Sequence, residues 1–248
     1  MVTLKTSKEL AKMKVAGSIT AQALQVGGAA VRPGATTGEI NRKIHEFIVS
    51  KGAKPSFLGY GGFPGSACIS VNDEIIHGIP GKRVIREGDI VSIDVGAIVD
   101  GYQGDTAGTF AAGEISEQAQ ALLDATRESL LAAIAVMQPG KRLGDIGNAV
   151  QSYVEARGFG VVRNYVGHGI GREMHEEPEV PNYGRPGHGV RLVPGMVLAV
   201  EPMITEHSPA NSVLKDHWTV VTNDHGLAAH FEHTIAITDD GPVILTLP

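Results

Sequence analysis

Apolar residues recur at helical spacing in four stretches of the chain. Leu10, Met13, Gly17, Ala21 and Leu24 fall on one face of a first helix. Thr6 and Glu9, just ahead of it, have capping-box spacing. Gly17 weakens this helix slightly but lets a neighbouring element pack close. Ile40, Ile44, Phe47 and Ile48 make the face of a second helix, opened by Thr36 and Glu39 and ended by Gly52. A long third helix pattern runs from Ser116 to a stop at Pro139-Gly140, and a fourth runs from Gly144 to Gly158. Between residues 66 and 110 the pattern changes to short β runs separated by turn residues, and the chain after the fourth helix reads the same way.

Part of this pattern repeats. "RPGATTGEINRKIHEFIVSKG" lies without a gap over "QPGKRLGDIGNAVQSYVEARG". Pro33 then meets Pro139, Gly34 meets Gly140, Gly38 meets Gly144, Ile40 meets Ile146 and Gly52 meets Gly158. Further on, "GDIVSIDV" (88–95) has the pattern of "GMVLAVEP" (195–202), which sets Asp94 over Glu201. The repeat implies two αβ halves, about 1–115 and 116–248, related by approximate symmetry within a single catalytic domain. Acids from the two halves then meet in the middle.

Composition narrows the class. A chain of 248 residues, 42% apolar and 19% charged, can bury a sizeable core and folds as a soluble globule. Its net charge of −6 and the lack of a long basic run argue against nucleic acid as a specific ligand. The N-terminus has no apolar core of signal-peptide length, and the longest apolar run, Leu130 to Met137, is far too short to span a bilayer. A single cysteine, Cys68, allows no intramolecular disulfide, which suits a reducing compartment. The expectation is a cytoplasmic protein with no membrane partner.

Candidate chemistry begins at "IDVGAIVDGYQGD", residues 93 to 105. Asp100-Gly101 has the residue types of a type I′ hairpin turn. Residue 94 then lies opposite 107 and residue 105 opposite 96, so Asp94 and Asp105 become diagonal neighbours on one face. Two carboxylates on one buried face are costly unless protonated or matched by cations. The alternation of Val91, Ile93, Val95, Ala97 and Val99 with Ser92, Asp94 and Gly96 also fits a solvent-exposed polar face. On this hairpin alone both interpretations stand.

Three further segments carry similar groups. "GHGIGREMHEEP" puts His168 between two glycines, which expose an imidazole and let something approach. "AVEPM" puts Glu201 at the end of an apolar strand, and "HFEHTIAIT" puts Glu232 just ahead of another apolar run. The four carboxylates Asp94, Asp105, Glu201 and Glu232, with His168, can hold two divalent ions a few ångströms apart. Oxygen-rich ligation with one imidazole suits Mn²⁺, Fe²⁺ or Co²⁺ better than a thiolate-type structural zinc.

The ordered set Asp94, Asp105, His168, Glu201 and Glu232, within "IDVGAIVDGYQGDT", "GHGIGREMHEEP", "VEPM" and "FEHTIAIT", closely resembles the methionine aminopeptidase family, over nearly the whole chain. The resemblance implies an α+β pita-bread fold, with two pseudo-symmetric halves around a central antiparallel sheet, and a dinuclear metal site. It implies that Asp94 chelates one ion, that Asp105 and Glu232 bridge both, and that His168 and Glu201 complete the second. The short interval from His168 to Glu201 leaves no room for the helical insertion of the family's second type, so the short bacterial type I form is expected.

The implied reaction is hydrolysis that removes the N-terminal methionine of nascent chains, with a small second residue favoured. Glu201 would take a proton from the attacking water. His77, by itself a turn residue before Gly78, and His175 would orient the substrate and support the developing charge. The methionine pocket would be lined by Phe57, Tyr60, Phe63, Cys68, Met174 and Trp218, each of which taken singly is ordinary core. Gly61 and Met174 depart from the family's common histidine and phenylalanine at those positions. Cys68 has no nucleophile context; as a pocket thiol it would confer sensitivity to alkylation or oxidation. The implied partners are nascent polypeptides beginning with Met, with transient ribosome contact, acted on by a monomer.

Overall fold

Helix capping sets the first elements of the computed structural model, which describes residues 1–248. Glu9 N donates to Thr6 Oγ1 and Thr6 N donates back to the Glu9 carboxylate at 2.8 Å, opening α1 (Ser7–Ala30). Thr36 and Glu39 repeat this box ahead of α2 (Thr37–Ser50). Five strands complete the first half: β1 (Lys54–Pro55), β2 (Ala67–Val71), β3 (Glu74–Ile76), β4 (Ile90–Val99) and β5 (Tyr102–Ala111). The second half begins with α3 (Glu117–Ala135) and α4 (Leu143–Glu155), then β6 (Gly160–Val161), β7 (Gly167–Gly169), β8 (Glu176–Val180), β9 (Val197–Val200) and β10 (Met203–Thr205). It ends with β11 (Asn211–Val213), β12 (Val220–Thr222), β13 (Ala228–His230), β14 (His233–Thr238) and β15 (Gly241–Ile244).

The β4–β5 hairpin turns as its sequence requires. Asp100 and Gly101 both take positive φ, 51° and 77°, the conformation of a type I′ turn. Asp94 pairs with Ala107 and Gly96 with Asp105, the expected register.

Two larger antiparallel sheets carry the centre of the molecule. One has the order β1-β4-β2 with β5 on β4; the other runs β15-β14-β9-β7-β8. They are not one continuous ladder. They are joined where β5 meets the start of β14. Glu232 N donates to Ala107 O at 3.0 Å and Thr106 Oγ1 donates to Glu232 O at 2.6 Å. Thr234 Oγ1 accepts from Asp105 N and donates to Asp105 O. This seam fixes Asp105 beside Glu232.

Helices α1 and α2 pack against the first sheet, α1 through Ala23 and Ala30 and α2 through Ile40, Ile44 and Ile48, in one cluster with Val91 and Ile93. Helices α3 and α4 cover the second with Leu122, Ile146 and Val150 against Leu198 and Ile235. A smaller cluster, including Met13, Phe57, Ile170 and Leu245, takes residues from both halves.

The repeated glycines have a shared cause. Gly38 N donates to Gly81 O at 2.8 Å and Gly144 N to His188 O at 2.9 Å. A Cβ at either glycine would run into neighbouring backbone, Gly81 in one case and Arg185 in the other. Four residues earlier, Gly34 N bonds Ile85 O and Gly140 N bonds Leu192 O.

Candidate active site

The polar face of β4 does not meet water. Ser92 and Thr109 are buried and hydrogen-bonded to each other at 2.9 Å. On the same face Asp105 is only 4% exposed, and Glu232, delivered by the seam, is 2% exposed. The exposed-face interpretation of this strand therefore falls. Asp94 and Glu201 keep some contact with a cavity that all four acids line.

His168 comes to the same place from the middle of β7. Its flanking glycines have a different purpose from the expected one. A Cβ at Gly167 would collide with Ala199 O, and one at Gly169 with Glu177 O. The glycines admit the neighbouring strands rather than a ligand, and His168 is buried. Its Nδ1 lies 2.9 Å from Gly169 O, which can only accept, so Nδ1 carries the proton. Nε2 is left with a free lone pair. It points between Asp105 Oδ2 at 3.8 Å and Glu201 Oε1 at 3.6 Å, both too long for good hydrogen bonds.

Burial pushes the Asp94 carboxyl up to about 7 and that of Glu201 up to about 8. Asp105 is raised well above the usual carboxylate range by burial and then by Asp94 and Glu201, and Glu232 by burial and then by Asp105, Glu201 and Asp94. Burial holds His168 down to about 4. Asp94 Oδ1, Asp105 Oδ1 and Glu232 Oε1 are buried without any hydrogen-bond partner. Asp105, His168 and Glu232 offer ligand atoms that all lie within 4.8 Å of one another. Unpartnered carboxylate oxygens facing an imidazole lone pair are what a divalent cation needs, so the donor set fits one.

Above these groups is a cavity of about 160 Å³. Phe57, Tyr60, Phe63, Cys68 and Trp218 form its apolar wall, and His77 and His175 its polar side. A dry cavity of about 150 Å³ admits a group of benzene size, so this one accepts a single apolar side chain. Phe63 meets the Trp218 ring edge-on at 5.1 Å. Tyr60 Oη contacts His175 Nδ1 at 2.7 Å, and the His175 ring lies 4.3 Å from that of His168. His77 sits at φ 59°, a strained conformation for a non-glycine residue that is common at functional sites.

Residues 11–239 match the model of metallopeptidase family M24. The chain belongs to this family, in its methionine aminopeptidase branch. It is 54% identical over 248 residues to a methionine aminopeptidase of Clostridium acetobutylicum, spanning 100% of this chain and 99% of that one. It is 50% identical to methionine aminopeptidase 1 of Bacillus subtilis, covering 99% of each. The crystal structure of the Thermotoga maritima methionine aminopeptidase superposes with a TM-score of 0.99 at 48% identity, covering 100% of both chains. The α+β pita-bread fold expected from the motifs is therefore the fold of this methionine aminopeptidase family member.

Five of the six expected pocket residues line the cavity; the sixth does not. Met174 is 2% exposed and does not face the cavity. It packs behind the wall in the Phe57 cluster, over Gly96, where a Cβ would meet its Cε at 2.9 Å. Gly61 stands against the cavity wall from outside its lining: a Cβ there would be 3.3 Å from the Trp218 ring. Cys68 lines the wall opposite Asp94 on the adjacent strand, but burial and the nearby acids raise its thiol, so it stays protonated and weakly nucleophilic. Two neighbours of the site were not singled out from sequence. Asn182 Nδ2 donates to Glu201 O at 2.9 Å, and His230 Nε2 lies 3.5 Å from Glu201 Oε2. His230 and Glu232 share the side-chain period of an extended segment, the one sequence signal that pairs them.

The electrostatics give a testable sign. A carboxyl with a raised folded pKa binds its proton more tightly folded than unfolded, so its contribution is lost as pH rises. Burial holds the imidazoles of His77, His168, His175, His230 and His233 below their ordinary value, so these groups are already neutral in the folded protein above about pH 7. Between pH 7 and 9 the metal-free protein should lose thermal stability as Asp94 and Glu201 ionise. A saturating divalent cation should flatten this slope. A metal-free melting temperature constant across that range would contradict the burial of unpaired acids.

Proposed function

We propose that the chain removes the N-terminal methionine from nascent proteins and peptides, favouring a small second residue. The observation that carries this is the convergence of Asp94, Asp105, Glu201, Glu232 and His168 at the floor of an apolar-walled cavity sized for one side chain. Asp94, Asp105, His168, Glu201 and Glu232 would together hold two divalent cations. Co, Mn or Fe(II) suits this oxygen-rich set. When bound, the cations neutralise the acids, polarise the scissile carbonyl and lower the pKa of water.

The chain's own groups do the rest. Phe57, Phe63 and Trp218 hold the methionine side chain, with Cys68 as a small apolar filler. Tyr60 Oη lies 2.7 Å from His175 Nδ1, and in the tautomer where Tyr60 O–H donates, Nε2–H is free to donate to a substrate carbonyl. Burial keeps both His77 and His175 neutral at physiological pH, so each acts as a hydrogen-bond donor rather than a competing cation. Glu201 accepts the proton of the attacking water and passes it to the leaving amine. We infer one catalytic domain of two related halves, working as a cytoplasmic monomer on chains emerging from the ribosome.

The decisive assay compares Met-Ala-Ser with X-Pro peptides, using cation-loaded protein. Release of methionine from Met-Ala-Ser, and little from a bulky second residue, is expected. Cleavage of X-Pro peptides alone would overturn the assignment.

A further inference from the structure

His230 ends β13 as a fully enclosed imidazole, 1% exposed, with no hydrogen bond at either ring nitrogen. Its backbone is fixed: His230 N donates to Thr109 Oγ1, and that hydroxyl donates to His230 O, both at 3.0 Å. The ring does not line the cavity. It stands behind Glu201, with Nε2 3.5 Å from Oε2, whereas Oε1 faces His168 Nε2 at 3.6 Å. Glu201 thus lies between two imidazoles, one on the ligand side and one at its back.

The two imidazoles are not equivalent. His168 Nδ1–H is taken by a carbonyl, so its Nε2 can only accept. His230 has no such constraint and must place its single proton on one nitrogen. A buried donor without an acceptor is destabilising, and Glu201 Oε2 is the carboxylate oxygen within range. At 3.5 Å the pair sits at the outer limit of a hydrogen bond, and a small rotation of the carboxylate closes it.

We propose that His230 is a positioning residue for Glu201: its Nε2–H holds Oε2 from behind and turns Oε1 toward His168 and the cation site. This rests on the acids being a cation site. A neutral donor suits the task, because a lysine there would repel the cation it helps to place. The partner of a ligating carboxylate typically sets metal affinity by about 10- to 100-fold.

The test titrates metal-free wild type, His230→Ala, His230→Leu and His230→Gln with Co(II), following the visible absorption of the bound ion. Melting temperatures of the metal-free proteins are measured alongside. The wild type should bind. His230→Ala and His230→Leu should bind about 10- to 100-fold more weakly with an altered spectrum. His230→Gln, which keeps an N–H donor, should recover most of the affinity. His230→Leu keeps bulk, so it remains informative should the alanine variant not fold. Variants that lower only the melting temperature, with affinity and spectrum unchanged, would show that His230 is mere packing and overturn the inference. A wild type that binds no Co(II) would remove the cation site itself, and this role with it.

Discussion

Replacing Asp105 by Asn is expected to lower kcat/KM on Met-Ala-Ser by about a thousand-fold or more, with loss of bound divalent cation. The change keeps shape and removes one charge from a group that offers a ligand atom alongside His168 and Glu232. A thousand-fold corresponds to about 4 kcal/mol of transition-state stabilisation, within the several kcal/mol a catalytic cation supplies. The same variant should be more heat-stable than the wild type when both are metal-free at pH 8. Asp105 is buried among Asp94, Glu201 and Glu232, and its Oδ1 has no partner. A neutral amide carries neither the buried charge nor the cost of binding a proton to avoid it. Lower activity with higher metal-free stability is a signature that misfolding cannot produce. An Asn variant with wild-type cation content and rate would mean that Asp105 is not a ligand.

Gly104→Val is expected to destroy the fold rather than the chemistry. Helix α1 crosses β5 at this glycine, where a Cβ would stand 2.7 Å from Gly17 N and 2.8 Å from Ala16 C. Both obstacles are backbone, so no side chain can rotate away. Thr20 also ties α1 to the strand through Gly104 O at 3.3 Å. Helix α1 is pinned at Gly17 by the C-terminal segment as well, because a Cβ there would strike Leu245 O. Separating these elements is expected to cost more than about 3 kcal/mol, a large share of the 5–15 kcal/mol that stabilises a typical domain. Urea unfolding of Gly104→Val should show that loss, or the protein should fail to accumulate in soluble form. A variant within about 1 kcal/mol of wild type would mean that the close approach of α1 to β5 is dispensable.

These two sites also mark how far sequence carries. Local devices were legible because their partners are a few residues away. The Thr6/Glu9 and Thr36/Glu39 capping boxes and the Asp100-Gly101 turn are of this kind, and they set element starts and the β4–β5 register. The four acids stood out because each breaks or borders an apolar run, and His168 because glycines flank it; the family motifs tied the five together. Gly17 was read as a point of close approach, but Gly104, its partner across the contact, was not. Nothing in the strand announces which helix crosses it.

The same limit explains the other departures. Alternation along β4 shows that Asp94 shares a face with Ser92, but not whether that face meets water or the second sheet. The answer lies in Thr234, which bonds both backbone groups of Asp105 across the seam. The glycines beside His168 look like an opening until the carbonyls of Ala199 and Glu177 are placed against them. Met174 precedes His175 yet packs away from the cavity, since adjacent residues need not share a side of the chain. His230 gains its meaning only when Glu201, far earlier in sequence, is folded against it.

The most direct test of the whole account is a titration of chelated, metal-free protein with Mn(II) or Co(II), counting bound ions while assaying methionine release from Met-Ala-Ser. Activity should vanish on chelation and return in step with cation binding, saturating at two ions per chain. Full activity in protein shown to be free of metal, or cations bound without any effect on the rate, would contradict it.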